Sequence, residues 1–205
     1  MSKEDKISKE ICESLKRMIN ESNYFNYNVH IEPKKKIFIG TTCGICENRE
    51  GNKVVNLFFQ SAEQDIVVYL RDNENKYRFE GKDFFKKYTK SLTNDEVLIP
   101  LIIFETKYEN VITHTVRQYS EIARMIKNIF PFCMYNLLLI NIKPNASNLA
   151  PDRIYMSSKY FDKVIRKEDY AQNNALELNS KIFMIIKERL EYLKNERHFG
   201  FGELL

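Results

Sequence analysis

The chain is poor in residues that interrupt or tether a fold. Six glycines and five prolines are spread through 205 residues. That is too few for a long flexible linker, so a single domain over 1–205 is expected. No stretch of 18 or more uninterrupted apolar residues exists, so the sequence offers no membrane-spanning helix and no membrane partner is expected. Only four cysteines are present, and the charged start Met1-Ser2-Lys3-Glu4-Asp5-Lys6 leads straight into a helical pattern. Both features argue against a signal sequence and a disulfide framework. Free thiols in a reducing, cytoplasmic compartment are the expectation. Neither sign of charge dominates: 32 basic against 28 acidic residues give a net charge of +4. Such a balance does not demand nucleic acid, but it allows one basic groove on a mixed surface. Core material is plentiful, with 43% hydrophobic and 13% aromatic residues, which excludes a disordered chain.

Along the chain, Ile7, Ile11, Leu15, Met18 and Ile19 recur at helical spacing and predict an amphipathic helix over 4–21. Short strands are expected over 29–31 and 37–41, around a turn at 33–36. Cys43-Gly44-Ile45-Cys46 has the C-x-x-C spacing of half a zinc site. No second half follows, so a turn carrying two thiols is the plainer expectation. Zinc shared with His30 or with a second subunit is the alternative. Residues 53–60 and 65–70 read as two strands joined by a turn at Ser61 and Ala62, an antiparallel hairpin. Residues 82–90 have amphipathic helical character. A strong helix is predicted over 113–130, ended by Pro131, and a buried strand over 135–142. Residues 152–170 interleave basic and aromatic side chains, and a last helix is expected over about 174–195, capped by Asn174.

The stretch with most chemical content is 97–107, an apolar run that ends in Glu105-Thr106-Lys107. Continuous Ile, Leu and Val read as a strand buried on both faces. Side chains alternate along a strand, so Glu105 and Lys107 project from one face. Burying either alone is costly, which puts the pair at the strand's exposed end or against a compensating ion. A carboxylate beside an ammonium suits metal-assisted attack of water on a phosphodiester: one holds a divalent ion, the other orients water or offsets charge. By itself, Glu-x-Lys also fits an ordinary surface pair at a strand end. A second carboxylate is needed, and Asp65, on a strand able to pair beside this one, reaches more easily than Asp95.

The order helix, strand, strand, strand with Glu-x-Lys, helix, strand resembles the PD-(D/E)xK nuclease superfamily, the fold of many type II restriction endonucleases and of several resolvases and repair nucleases. The resemblance covers about 4–142 and leaves 143–205 as a C-terminal helical extension. It implies an α/β, restriction-endonuclease-like core with a central mixed sheet flanked by helices. Its catalytic residues would be Asp65, Glu105 and Lys107, with magnesium held by Asp65, Glu105 and the carbonyl of Thr106. It further implies hydrolysis that leaves a 5′-phosphate and a 3′-hydroxyl, double-stranded DNA as partner, and a homodimer. Glu10 or Glu13 on the first helix and Gln118 after Lys107 correspond to accessory positions in some relatives. The sequence departs from the pattern in having Gln64, not proline, before Asp65, and a long interval to Glu105 that makes 72–95 an insertion. Lys34, Lys35, Lys36, Lys159, Lys163 and Arg166 are candidate DNA contacts, as are Lys86, Lys87 and Lys90, and His114 is a candidate phosphate contact. A non-catalytic nucleic-acid-binding protein is the competing expectation.

Overall fold

The computed structural model describes residues 2–22, 29–47, 49–71, 98–142, 154, 156–171 and 174–196. The elements are α1 (Lys3–Glu21), β1 (Val29–Glu47), β2 (Lys53–Arg71), β3 (Leu98–Tyr108), α2 (Thr113–Ile129), β4 (Met134–Ile140), β5 (Lys163–Lys167) and α3 (Ala175–Asn195). The strands form one five-stranded sheet in the order β1-β2-β3-β4-β5. β1, β2 and β3 pair antiparallel, whereas β3, β4 and β5 pair parallel. This is the mixed sheet expected, with one strand more. The helix over 82–90, Asp95 and Lys86, Lys87 and Lys90 lie outside the described residues. No helix among the described residues is long and apolar enough to cross a membrane.

Helices cover both faces. On one, Ile7, Ile11, Leu15 and Ile19 of α1 and Leu178, Ile182, Ile186 and Leu190 of α3 share a core with Ile66, Val68, Ile102 and Phe104. The region expected as an extension therefore supplies part of the main core. On the other face, Ala123 and Ile126 of α2 pack on Val67, Tyr69, Ile103 and Tyr135. The alternation of 66, 68 with 67, 69 between the two cores is the period-two signature of a strand buried on both faces. The continuous apolar run in β3 has the same cause.

Three local expectations are corrected. β1 is one strand through 33–36 rather than two around a turn, and β2 continues through Ser61 and Ala62. Each supplies the other's ladder partners, as in Lys36↔Glu63, Ile37↔Ala62 and Phe38↔Ser61, so cross-strand pairing overrides the local turn signals. Cys43 is exposed and free and pairs with Leu57 inside β1. The turn expected around the two cysteines is a strand instead, and the hairpin bend includes 49–52.

Candidate metal and phosphate site

β2 pairs with β3 only from Ile66↔Phe104 to Arg71↔Leu98. Beyond Phe104, β3 keeps its other neighbour, pairing with β4 as far as Tyr108↔Ile140. The sheet therefore opens between β2 and β3 just where Asp65 and Glu105 stand. In place of the lost backbone ladder, the Thr106 N–H donates to Asp65 Oδ2 at 2.9 Å. Burial of a backbone donor without a partner is costly, and this bond removes that cost while fixing the carboxylate.

Glu105 and Lys107 share a strand face, and the Lys107 ammonium donates to Glu105 Oε1 at 2.9 Å. It also donates to Glu4 Oε1, from the first turn of α1, at 2.8 Å. The ring of Tyr119 on α2 covers the same ammonium, with its centroid 4.4 Å from Nζ. Glu4 reaches this point because α1 starts cleanly. Ser2 Oγ accepts the Asp5 N–H and Asp5 Oδ2 accepts the Ser2 N–H, both at 3.0 Å, a capping box that holds the first turn. Asp5 also binds Lys34, whose Nζ lies 2.8 Å from Asp5 Oδ1 and 2.5 Å from Asp65 Oδ1.

Glu4, Asp65 and Glu105 each offer an oxygen within 4.8 Å of the others. Two ligands of one magnesium ion, each about 2.1 Å from it, lie up to about 4.2 Å apart, so small side-chain rotations suffice. Glu105 Oε2 is buried without a hydrogen-bond partner, in a residue only 2% exposed. An unpaired carboxylate oxygen in that setting is costly unless a proton or a cation meets it. The donor set, all carboxylate oxygen, is the hard kind that magnesium or manganese takes. The residues fit a divalent ion.

Electrostatics agree with that reading. Burial and then the Asp65 charge push the Glu105 carboxyl up to about 8, against the opposing pull of Lys107. Burial works against the Lys107 charge, but Glu105 and Glu4 outweigh it and raise its pKa above the ordinary lysine value. Tyr119 is raised by burial and by the Glu105 charge.

The structure thus brings Asp65, Glu105, Thr106 and Lys107 together. It does not bring Glu10: six residues past Glu4, it sits about 9 Å further along α1 and about 240° around it. There it lies 4.0 Å from Lys6 and lines a groove with Tyr170 and Leu176. Glu13 lines the same groove. Gln118 is exposed, and its neighbour Tyr119 covers Lys107. Glu4 and Lys34 are the members that sequence reasoning missed. The Ser2–Asp5 capping signature, which fixes where the helix starts, was the available signal for Glu4. Nothing local marks Lys34, which reads as one of three consecutive lysines.

Among the expected DNA contacts, Lys34 is turned inward onto Asp65. Lys35 pairs with Glu32 and lies over the Tyr69 ring at 5.7 Å. Lys36, Lys159 and His114 are exposed. Lys163 approaches Glu188 at 3.9 Å and Arg166 approaches Glu168 at 3.3 Å.

No family model matches the chain. It is 28% identical over 127 residues to UDP-N-acetylmuramoyl-L-alanyl-D-glutamate--L-lysine ligase of Streptococcus agalactiae, in serotypes Ia and III, covering 60% of this chain. The chain spans only 25% of the length of those relatives. Among solved structures, the native BbvCI A2B2 tetramer matches with a TM-score of 0.46 and 12% identity, over 78% of this chain and 60% of that one. Overlap this loose carries no functional inference.

Proposed function

We propose that the chain is a divalent-metal-dependent DNA endonuclease of PD-(D/E)xK type, a restriction endonuclease before a junction resolvase or repair nuclease. One observation carries this reading: Glu4, Asp65 and Glu105 converge beside the Lys107 ammonium, and a buried Glu105 oxygen lacks a partner. The ligase similarity spans a quarter of that enzyme, too small a share to lend its reaction to this chain.

A bound magnesium ion would supply Lewis-acid polarisation of a phosphate oxygen and an acidified water. Glu4, Asp65, Glu105 and the Thr106 carbonyl would hold it. Lys107 lies between two carboxylates, which keep it an ammonium. That makes it a poor general base and a good stabiliser of charge, so its role is to orient water and offset negative charge on the phosphate. Tyr119 shields this ammonium from one side and keeps the interaction in a low-dielectric setting. Cutting both strands of a duplex in one encounter would take two such centres, which a homodimer would supply.

The test is digestion of supercoiled plasmid and of a synthetic four-way junction, with magnesium or with EDTA, using wild type and Lys107→Ala. Magnesium-dependent discrete fragments from plasmid, lost in the variant, are expected. Cutting confined to the junction assigns a resolvase instead. No cutting of either substrate overturns the catalytic reading in favour of a binding protein.

A further inference from the structure

Lys34 belongs to no expected role in this cluster, yet it makes a closer contact with Asp65 than any other group described. Its backbone is left-handed, with φ at 56°, a region that side-chain-bearing residues avoid and that persists where surroundings enforce it. The enforcing contacts are visible. Pro33↔Ile66 and Lys35↔Gln64 flank it in the ladder, which sets Lys34 opposite Asp65. Its ammonium is held at 2.5 Å by Asp65 Oδ1, at 2.8 Å by Asp5 Oδ1 and at 4.0 Å by Glu63 Oε1.

Two features separate this from a bridge that only ties α1 to the sheet. First, the Thr106 N–H takes one lone pair of Asp65 Oδ2 and the Lys34 ammonium one of Oδ1, so a cation drawn to this carboxylate competes with Lys34 for it. An oxygen cannot give the same lone-pair direction to an ammonium and a metal ion. Second, the two lysines differ in access: the Lys107 side chain is 8% exposed, the Lys34 side chain 35%. Lys34 is the more accessible of the two to a phosphate from solvent.

We propose that Lys34 is a second substrate-contacting lysine of this centre: its ammonium neutralises Asp65 in the metal-free protein and turns to a non-bridging phosphate oxygen once Asp65 ligates a divalent ion. This rests on the nuclease reading above. Lys34 then acts as a resident counter-ion that stabilises the empty cluster and as an electrostatic clamp when substrate is present.

The test combines Mn2+ affinity by calorimetry without DNA and single-turnover cleavage at saturating magnesium, on full-length Lys34→Met, Lys34→Arg and Lys187→Met. The last removes the same charge from α3, where Lys187 approaches Glu191 at 4.0 Å. Lys34→Met is expected to bind Mn2+ about tenfold more tightly, because the competing ammonium is gone. It should cleave about 100-fold more slowly. Lys34→Arg should recover most of the rate, which also covers the case in which the methionine variant folds poorly. Lys187→Met should match wild type in both. Tighter Mn2+ binding with an unchanged cleavage rate overturns the clamp and leaves the nuclease reading standing. Slower cleavage without tighter Mn2+ binding overturns the counter-ion role. Failure of the wild type to bind Mn2+ overturns the nuclease reading, and the Lys34 assignment with it.

Discussion

Glu105 is buried against Asp65 on one side and Lys107 on the other, and its carboxyl is raised from an ordinary 4.5 to about 8. The native state therefore holds a proton that the unfolded chain releases above about 4.5. Between those values the metal-free protein loses stability as pH rises, because the native state binds more protons than the unfolded one. Two outcomes follow at this scale. Mn2+ affinity should rise from pH 6 to pH 8, and binding at pH 7 should release a proton, seen as a dependence of calorimetric heat on the buffer's ionisation enthalpy. Glu105→Gln should raise the melting temperature in EDTA by about 2–4 °C for each kcal/mol of relieved repulsion, read by differential scanning calorimetry. Lys107 keeps its Glu4 partner in that variant, so no ammonium is stranded. Glu4→Gln tests Glu4 as a proposed ligand: Mn2+ affinity should fall about tenfold, with the melting temperature little changed because the cap uses Ser2 and Asp5.

At the scale of elements, α1 does two jobs. Its apolar stripe anchors it to the core, and its capped first turn delivers Glu4 to Lys107 and Asp5 to Lys34. Ser2→Ala should cost about 1 kcal/mol of stability by chemical denaturation. It should also weaken Mn2+ binding, since fraying the turn releases Glu4. Equal affinity in that variant would separate the cap from the site. The helices were legible in sequence because their apolar spacing is regular, as with Ile7, Ile11, Leu15 and Ile19 in α1. β3 was legible because a strand buried on both faces leaves a continuous apolar run. The continuity of β1 through Pro33 and of β2 through Ser61 was not legible. It depends on each strand lying against the other, which no local signal in either segment encodes. β5 was missed for a similar reason: Lys163–Lys167 is short and mostly polar, and its pairing with β4 makes it a strand.

For the whole molecule, the sheet's opening between β2 and β3 creates the site. Asp65 and Glu105 could be paired from sequence because neighbouring strands can place them opposite one another. The capping signature marks where α1 starts but does not join Glu4 to that pair, and nothing joins Lys34, because both arrive through tertiary contacts whose register only the assembled sheet sets. A paired-centre enzyme should convert supercoiled plasmid to linear product with little nicked intermediate, resolved on a time course by agarose gel. Accumulation of nicked circle contradicts the dimer while leaving the centre in place. The measurement closest to the central claim is titration of Mn2+ into wild type and Glu105→Gln, followed by calorimetry at pH 8. A saturable site in wild type that is lost in Glu105→Gln is the predicted result. Equal binding by the two proteins, or none by wild type, contradicts a metal centre built on Glu4, Asp65 and Glu105.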